Sequence, residues 1–135
     1  MPEQRLGKTS ILQLACDTSR SNRLLRDEVA QCGAAAGLSD SDILVLYLCT
    51  YEKPVPQTSV GQMLGNSAAR ISMVVEKLRS LKLIEATRDP ADRRKQLWHA
   101  TRAGSDCIEQ VEAELKKRMG TTDLPQILRT GQEAA

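Results

Sequence analysis

The chain has 135 residues, a formal net charge of +2, no Phe, one Trp, two Tyr, four Cys and one His. That length is one domain's worth. No apolar run approaches the roughly 18 residues of a membrane span, and the start, Met1 to Arg5, lacks the apolar core of a signal peptide. A cytoplasmic protein with no membrane partner is therefore expected. Cys16, Cys32, Cys49 and Cys107 are scattered without a C-x-x-C pair, and the lone His99 cannot complete a zinc site. With no P-loop and no nucleophile elbow either, the expectation is no metal, no cofactor and no catalysis.

Residues 6 to about 36 carry a helical apolar period: Ile11, Leu14, Leu25, Val29 and Cys32 share a stripe with Thr18, flanked by Leu12, Cys16 and Leu24. Gly33 and Gly37 mark its end. Apolar residues on more than one side suggest contacts beyond its own subunit. Ser39 and Asp42 have the spacing of a capping box, opening a second helix with Ile43, Leu44, Leu46, Tyr47 and Leu48. Pro54 and Pro56 then mark a loop.

Gln57 or Thr58 is placed to cap a short third helix ending at Leu64. Gly65 turns the chain, and Ser67 caps a fourth helix whose apolar face is Ile71, Val74, Val75, Leu78 and Leu81. Residues 83–88 read as a strand, 89–95 as a basic turn and 96–100 as the return strand. Thr101 caps a fifth helix running to about Met119, with Ile108, Val111 and Leu115 on one stripe. Leu124, Ile127 and Leu128 suggest a short final helix.

Two features point to DNA. Between residues 70 and 102 stand nine Lys/Arg against four acids, a local net of +5 in a chain whose total is +2. Such a basic module is the electrostatic footprint of nucleic-acid binding. Second, Gly61 and Gly65 lie four positions apart, and Val60, Leu64, Ile71 and Val74 supply packing around them. That is the small residue, tight turn and apolar frame of a helix-turn-helix. Asn66 departs from it, since an apolar residue is usual there. Ala68, Ala69, Arg70, Ser72, Met73, Glu76 and Lys77 are left facing outward. Arg70 suits a guanine edge, Ser72 bases or phosphate, and Lys77 and Arg79 phosphates. Thr58, Ser67, Ala68 and Met73 complete the candidate DNA-facing set.

Residues 60–119 resemble the winged-helix DNA-binding region of the MarR family of bacterial transcriptional regulators. Asp92, Arg94, Trp98 and the run Thr101, Arg102, Ala103, Gly104 match the family's wing signature, with Asp89, Pro90 and Arg93 in support. The resemblance implies a mainly α fold: a winged helix-turn-helix with a two-stranded wing, and a helical dimerisation region from the terminal helices. One domain spanning 1–135 would divide into dimerisation segments 1–37 and 101–135 and a DNA-binding lobe 38–100. It implies a homodimer on double-stranded DNA at a pseudo-palindromic operator, as a repressor. Arg93 or Arg94 would enter a minor groove while the other holds the turn through Asp92. Trp98 stands where Leu is usual and reads as wing core. Ala68, Ala69 and Met73 depart from positions that are often Arg or Ser.

Many MarR-like regulators release DNA on binding a small effector between the dimer helices and the DNA-binding lobe, and Tyr47, Tyr51 and Trp98 are candidate lining residues. Two alternatives stand beside that reading. One is a peroxide or thiol sensor through Cys16, with Tyr47 and Tyr51 as hydrogen-bond donors. The other is a winged helix that binds protein.

Overall fold

The computed structural model describes residues 10–51 and 53–120. Helix α1 is Ile11–Gly33. The Ser10 hydroxyl accepts the Gln13 N–H at 3.0 Å and caps it, and the expected residues 6–9 lie outside the described residues. A single 3-10 turn, Ala34–Ala36, follows, and Gly37 leaves it in the left-handed region at φ 74°. Helix α2 is Asp40–Tyr51. Its capping box is formed in both directions. The Asp42 N–H donates to Ser39 Oγ at 3.1 Å, and the Ser39 N–H donates to Asp42 Oδ2 at 2.9 Å.

Strand β1, Val55–Pro56, leads into helix α3, Gln57–Leu64, and helix α4, Ala68–Ser80. Strands β2, Ile84–Arg88, and β3, Gln96–Ala100, form the wing hairpin, and helix α5 is Arg102–Met119. The sheet is antiparallel in the order β1-β3-β2. Residues 54–56, expected as a loop, thus supply a third strand. Val55 pairs with Trp98 and Pro56 with Leu97, while Glu85 pairs with His99.

Three further expectations change. The cap of α3 is Pro56, which offers no side-chain acceptor, and neither Gln57 nor Thr58 takes that place. Leu81 is 49% exposed instead of buried with the α4 face. The helix ends one residue before it, and Lys82 then turns left-handed at φ 61°. The expected helix around Leu124, Ile127 and Leu128 lies outside the described residues.

The core sits where α2, α4, β2, β3 and α5 meet. Leu46, Val60, Leu78, Ile71, Ile84 and Ile108 are fully buried, and Val29, Cys32, Leu64 and Leu115 pack against them. Each such aliphatic chain contributes roughly 1.5–3 kcal/mol by leaving water. Helix α5 meets the β2 end of the sheet at Gly104, where an added Cβ would stand 2.1 Å from Leu83 O. Only glycine fits that joint. At Gly61 the corresponding distances are 3.5 Å to Asn66 O and Ile71 Cγ1, so a methyl would be in ordinary contact there. Burial pushes the Cys49 thiol up to about 11 and also raises Cys32 and Cys107, leaving all three as protonated apolar groups.

Candidate nucleic-acid interface

The turn between α3 and α4 is built from local bonds. Gly65 takes φ 66°, and the Asn66 N–H donates to Gly61 O at 3.1 Å. Ser67 Oγ accepts the Arg70 N–H at 3.2 Å, which caps α4 and fixes where its outward face begins. Ala68, Ala69, Arg70, Ser72, Met73, Glu76 and Lys77 are all exposed on that face, opposite buried Ile71, Val74, Val75 and Leu78. Met73 is 73% exposed. Asn66 Nδ2 is shielded from solvent and has no hydrogen-bond partner among the described residues, the physical cost of a polar residue where an apolar one is usual.

Several of these side chains are already engaged within the fold. Gln57 Nε2 donates to Ser72 Oγ at 3.0 Å, tying α3 to α4. Arg79 pairs with Glu76 along the helix. Lys77 Nζ donates to Asp42 Oδ2 at 2.6 Å and to Gly37 O at 3.0 Å. Asp42 is buried, so this ammonium neutralises an interior carboxylate, a role within the fold beside the phosphate contact expected of it. Arg70 Nη2 donates to Ser41 Oγ at 3.2 Å.

The wing tip is a compact knot. Asp89 N–H donates to Lys95 O at 3.1 Å and Lys95 N–H to Asp92 O at 2.9 Å. The Asp92 carboxylate accepts both the backbone N–H and the Nε–H of Arg94, at 3.1 and 3.2 Å. The Arg94 guanidinium and backbone N–H hold the Asp92 carboxyl below the usual carboxylate range. Arg88, reaching from β2, donates to Arg93 O at 2.9 Å. The Arg93 backbone is thereby braced, while its side chain makes no hydrogen bond or ion pair among the described residues and is exposed. Trp98 is buried at the centre of the sheet, paired with Val55 and Ala86.

Between α3 and the wing lies a groove of about 520 Å³ bordered by Thr58, Ser59, Arg88, Arg94 and Lys95. Sequence reading missed Arg88 and Lys95 as members of this site, although both belong to the basic excess. It also missed Gln57, Ser41 and Asp42, whose partners are remote in sequence. A second cavity of about 450 Å³ opens beside the helix-turn-helix at Thr58, Gln62, Asn66 and Ala68.

The candidate sensor residues do not converge. Tyr51 borders a cavity of about 750 Å³ with Glu109, Glu112, Lys116 and Lys117 of α5. Tyr47 packs against Tyr51 with ring centroids 4.8 Å apart and planes tilted by 47°, and Trp98 borders the wing groove instead. Cys16 is exposed on α1, and none of the described hydrogen bonds joins it to either tyrosine. No group of three or more His, Cys, Asp or Glu among the described residues has metal-binding geometry. No single described helix is long and apolar enough to cross a membrane.

Residues 36–95, from the end of α1 to the wing tip, match the model of the MarR family. The matched stretch, less than half of the chain, is similar to that family. Solved structures extend the likeness along the chain. CouR from Rhodococcus jostii RHA1, bound to p-coumaroyl-CoA, is 25% identical with a TM-score of 0.71, over 85% of this chain and 82% of that one. BldR from Sulfolobus solfataricus is 21% identical with a TM-score of 0.72, over 90% and 91%. A MepR variant from S. aureus bound to an oligodeoxyribonucleotide is 16% identical with a TM-score of 0.64, over 87% and 88%. No curated protein matches the chain in sequence. The chain shares the fold of these solved structures.

Proposed function

We propose that this MarR-like chain is a sequence-specific transcriptional repressor that binds a pseudo-palindromic operator as a homodimer. The observation that carries the reading is the exposed α4 face with Arg70 at its start, set beside a braced wing tip that presents Arg93. In this reading Arg70 reads base edges in the major groove and Arg93 enters the minor groove. Arg94 holds the turn through Asp92, and Thr58, Arg88 and Lys95 meet the phosphate backbone along the groove. Ser67, Ala68, Ser72 and Met73 complete the contact face. Residues 38–100 form the DNA-binding lobe, and 1–37 with 101–135 form the dimerisation region. Ile11 at 85% and Leu12 at 79% exposed support a second subunit along α1. The DNA-bound MepR supports DNA as the partner class.

Selection of bound duplexes from a random pool tests this. The expected outcome is a palindromic motif whose affinity falls steeply with salt, as counterion release requires. Failure to enrich any duplex, with salt-insensitive capture of protein instead, would return the wing to a protein-binding role.

A second reading, release by a small effector, is favoured by the cavity of about 750 Å³ at Tyr51 and α5, between the DNA-binding lobe and the dimerisation region. The CoA thioester bound to CouR supports a small-molecule class of ligand.

A further inference from the structure

The Ser41 hydroxyl is 2% exposed and lies between two guanidinium groups from different helices. From α4, Arg70 Nη2 donates to Ser41 Oγ at 3.2 Å. From α1, Arg26 Nη1 donates to the same oxygen at 3.4 Å and to Asp40 Oδ2 at 2.7 Å. A serine oxygen has two acceptor lone pairs, so one buried atom accepts from both arginines. The local charges are unequal. Asp40 answers Arg26 and Asp42 answers Lys77, whereas no ion pair with a carboxylate is described for Arg70. Its guanidinium is steered by a neutral hydroxyl and keeps its full charge for an anionic or electronegative ligand. A guanidinium carries five donors in one plane. Fixing one on Ser41 restricts the plane and leaves the others available.

We propose that Ser41 is a positioning residue for base recognition. It orients the Arg70 guanidinium before DNA arrives and ties that orientation to α1 through Arg26. The inference rests on the proposed reading role of Arg70. Preorientation matters because an exposed arginine loses rotamer freedom on binding, and a side chain already ordered loses less. The tie also joins the DNA-reading face to the helix whose apolar residues are exposed, so a shift of α1 against α2 acts on Arg70 directly.

The test has two parts. Side-chain ¹⁵N relaxation on the free protein compares Arg70 with Arg93, then Arg70 in Ser41→Ala. Arg70 is expected to be more ordered than Arg93 and to lose that order in the variant. A double-mutant cycle then measures the ratio of affinities for selected operator and scrambled duplex in wild type, Ser41→Ala, Arg70→Ala and the double variant. Ser41→Ala is expected to lower that ratio about threefold to tenfold, and to have no further effect once Arg70 is gone. Thermal melting of each variant accompanies the cycle, because a merely structural serine would lower stability and affinity alike, with or without Arg70. Equal Arg70 order with and without the hydroxyl, or additive losses in the cycle, overturns the proposal. If Ser41 orders Arg70 but Arg70→Ala leaves operator preference intact, the positioning for base recognition fails along with the base-reading role, and only the contact stands.

Discussion

The helix-turn-helix with its wing and the first two-thirds of α1 draw on the same aliphatic residues and treat them oppositely. Leu46, Val60 and Leu78 show no exposed surface, whereas Ile11 is 85% exposed, Leu12 79% and Leu24 49%. The lobe closes its own core. Helix α1 joins that core only near its end, through Val29 and Cys32. The lesson is that one part of the molecule is stable through its own packing, while the other leaves large aliphatic side chains exposed, the surface on which the proposed dimer depends.

The sharpest test of that contrast is a matched pair of truncations. Leu78→Ala is expected to cost about 2–5 kcal/mol of unfolding free energy at any protein concentration. Ile11→Ala should change the melting of dilute protein by no more than about 0.5 kcal/mol, yet weaken self-association in sedimentation equilibrium. Equal losses at both sites would erase the distinction between the regions.

Lys77 probes a boundary within the lobe, between residues that hold the fold and residues proposed to meet DNA. Its removal leaves buried Asp42 without its cation, although two hydrogen bonds of the capping box remain. Lys77→Met is expected to lower stability by about 1–3 kcal/mol, with the salt dependence of DNA binding unchanged. A flattened salt slope with unchanged melting would return Lys77 to the phosphate-contacting set.

The smallest effect concerns acid. Burial raises the Asp40 carboxyl, but the hydrogen bond and charge of Arg26, with backbone N–H bonds, outweigh it and hold the group below its ordinary value. A lowered folded value means that the unfolded chain binds the proton more readily. The contribution is therefore complete above the ordinary carboxylate range and is lost as pH falls through the folded value. Arg26→Gln leaves burial less opposed and raises the folded value toward the unfolded one, so the variant should be less stable than wild type near neutral pH, with the difference shrinking as pH falls through the carboxylate range. Melts of both proteins between about pH 7 and about pH 3 would detect the narrowing; a difference that stays constant with pH would discount the Arg26–Asp40 pair.

What could be read from the residues alone follows a physical rule. Ser39 with Asp42, Ser67 and Thr101 were legible because a cap is decided within three residues. The wing hairpin and Gly65 were legible for the same reason. Strand β1 was not, since two residues flanked by prolines carry no alternation, and its partner lies across the fold. Side-chain commitments were the least legible part of the site. Lys77 meets Asp42 across 35 positions and Arg70 meets Ser41 across 29, and no local pattern announces either. Two adjacent arginines do not announce which of them pairs with Asp92; in the structure it is Arg94.

Strand β1 also has a bearing on how the protein behaves among copies of itself. In the order β1-β3-β2 it forms one border of the sheet. A border strand invites further strands to add to it, the first step of aggregation. Here the border is two residues long, Pro54 precedes it, and Pro56 has no N–H to offer. The other border, β2, exposes Glu85, Thr87 and Arg88 to water. The wing's sheet is therefore closed to growth on one side by proline and discouraged on the other by charge. The wing is thereby kept from adding to another wing.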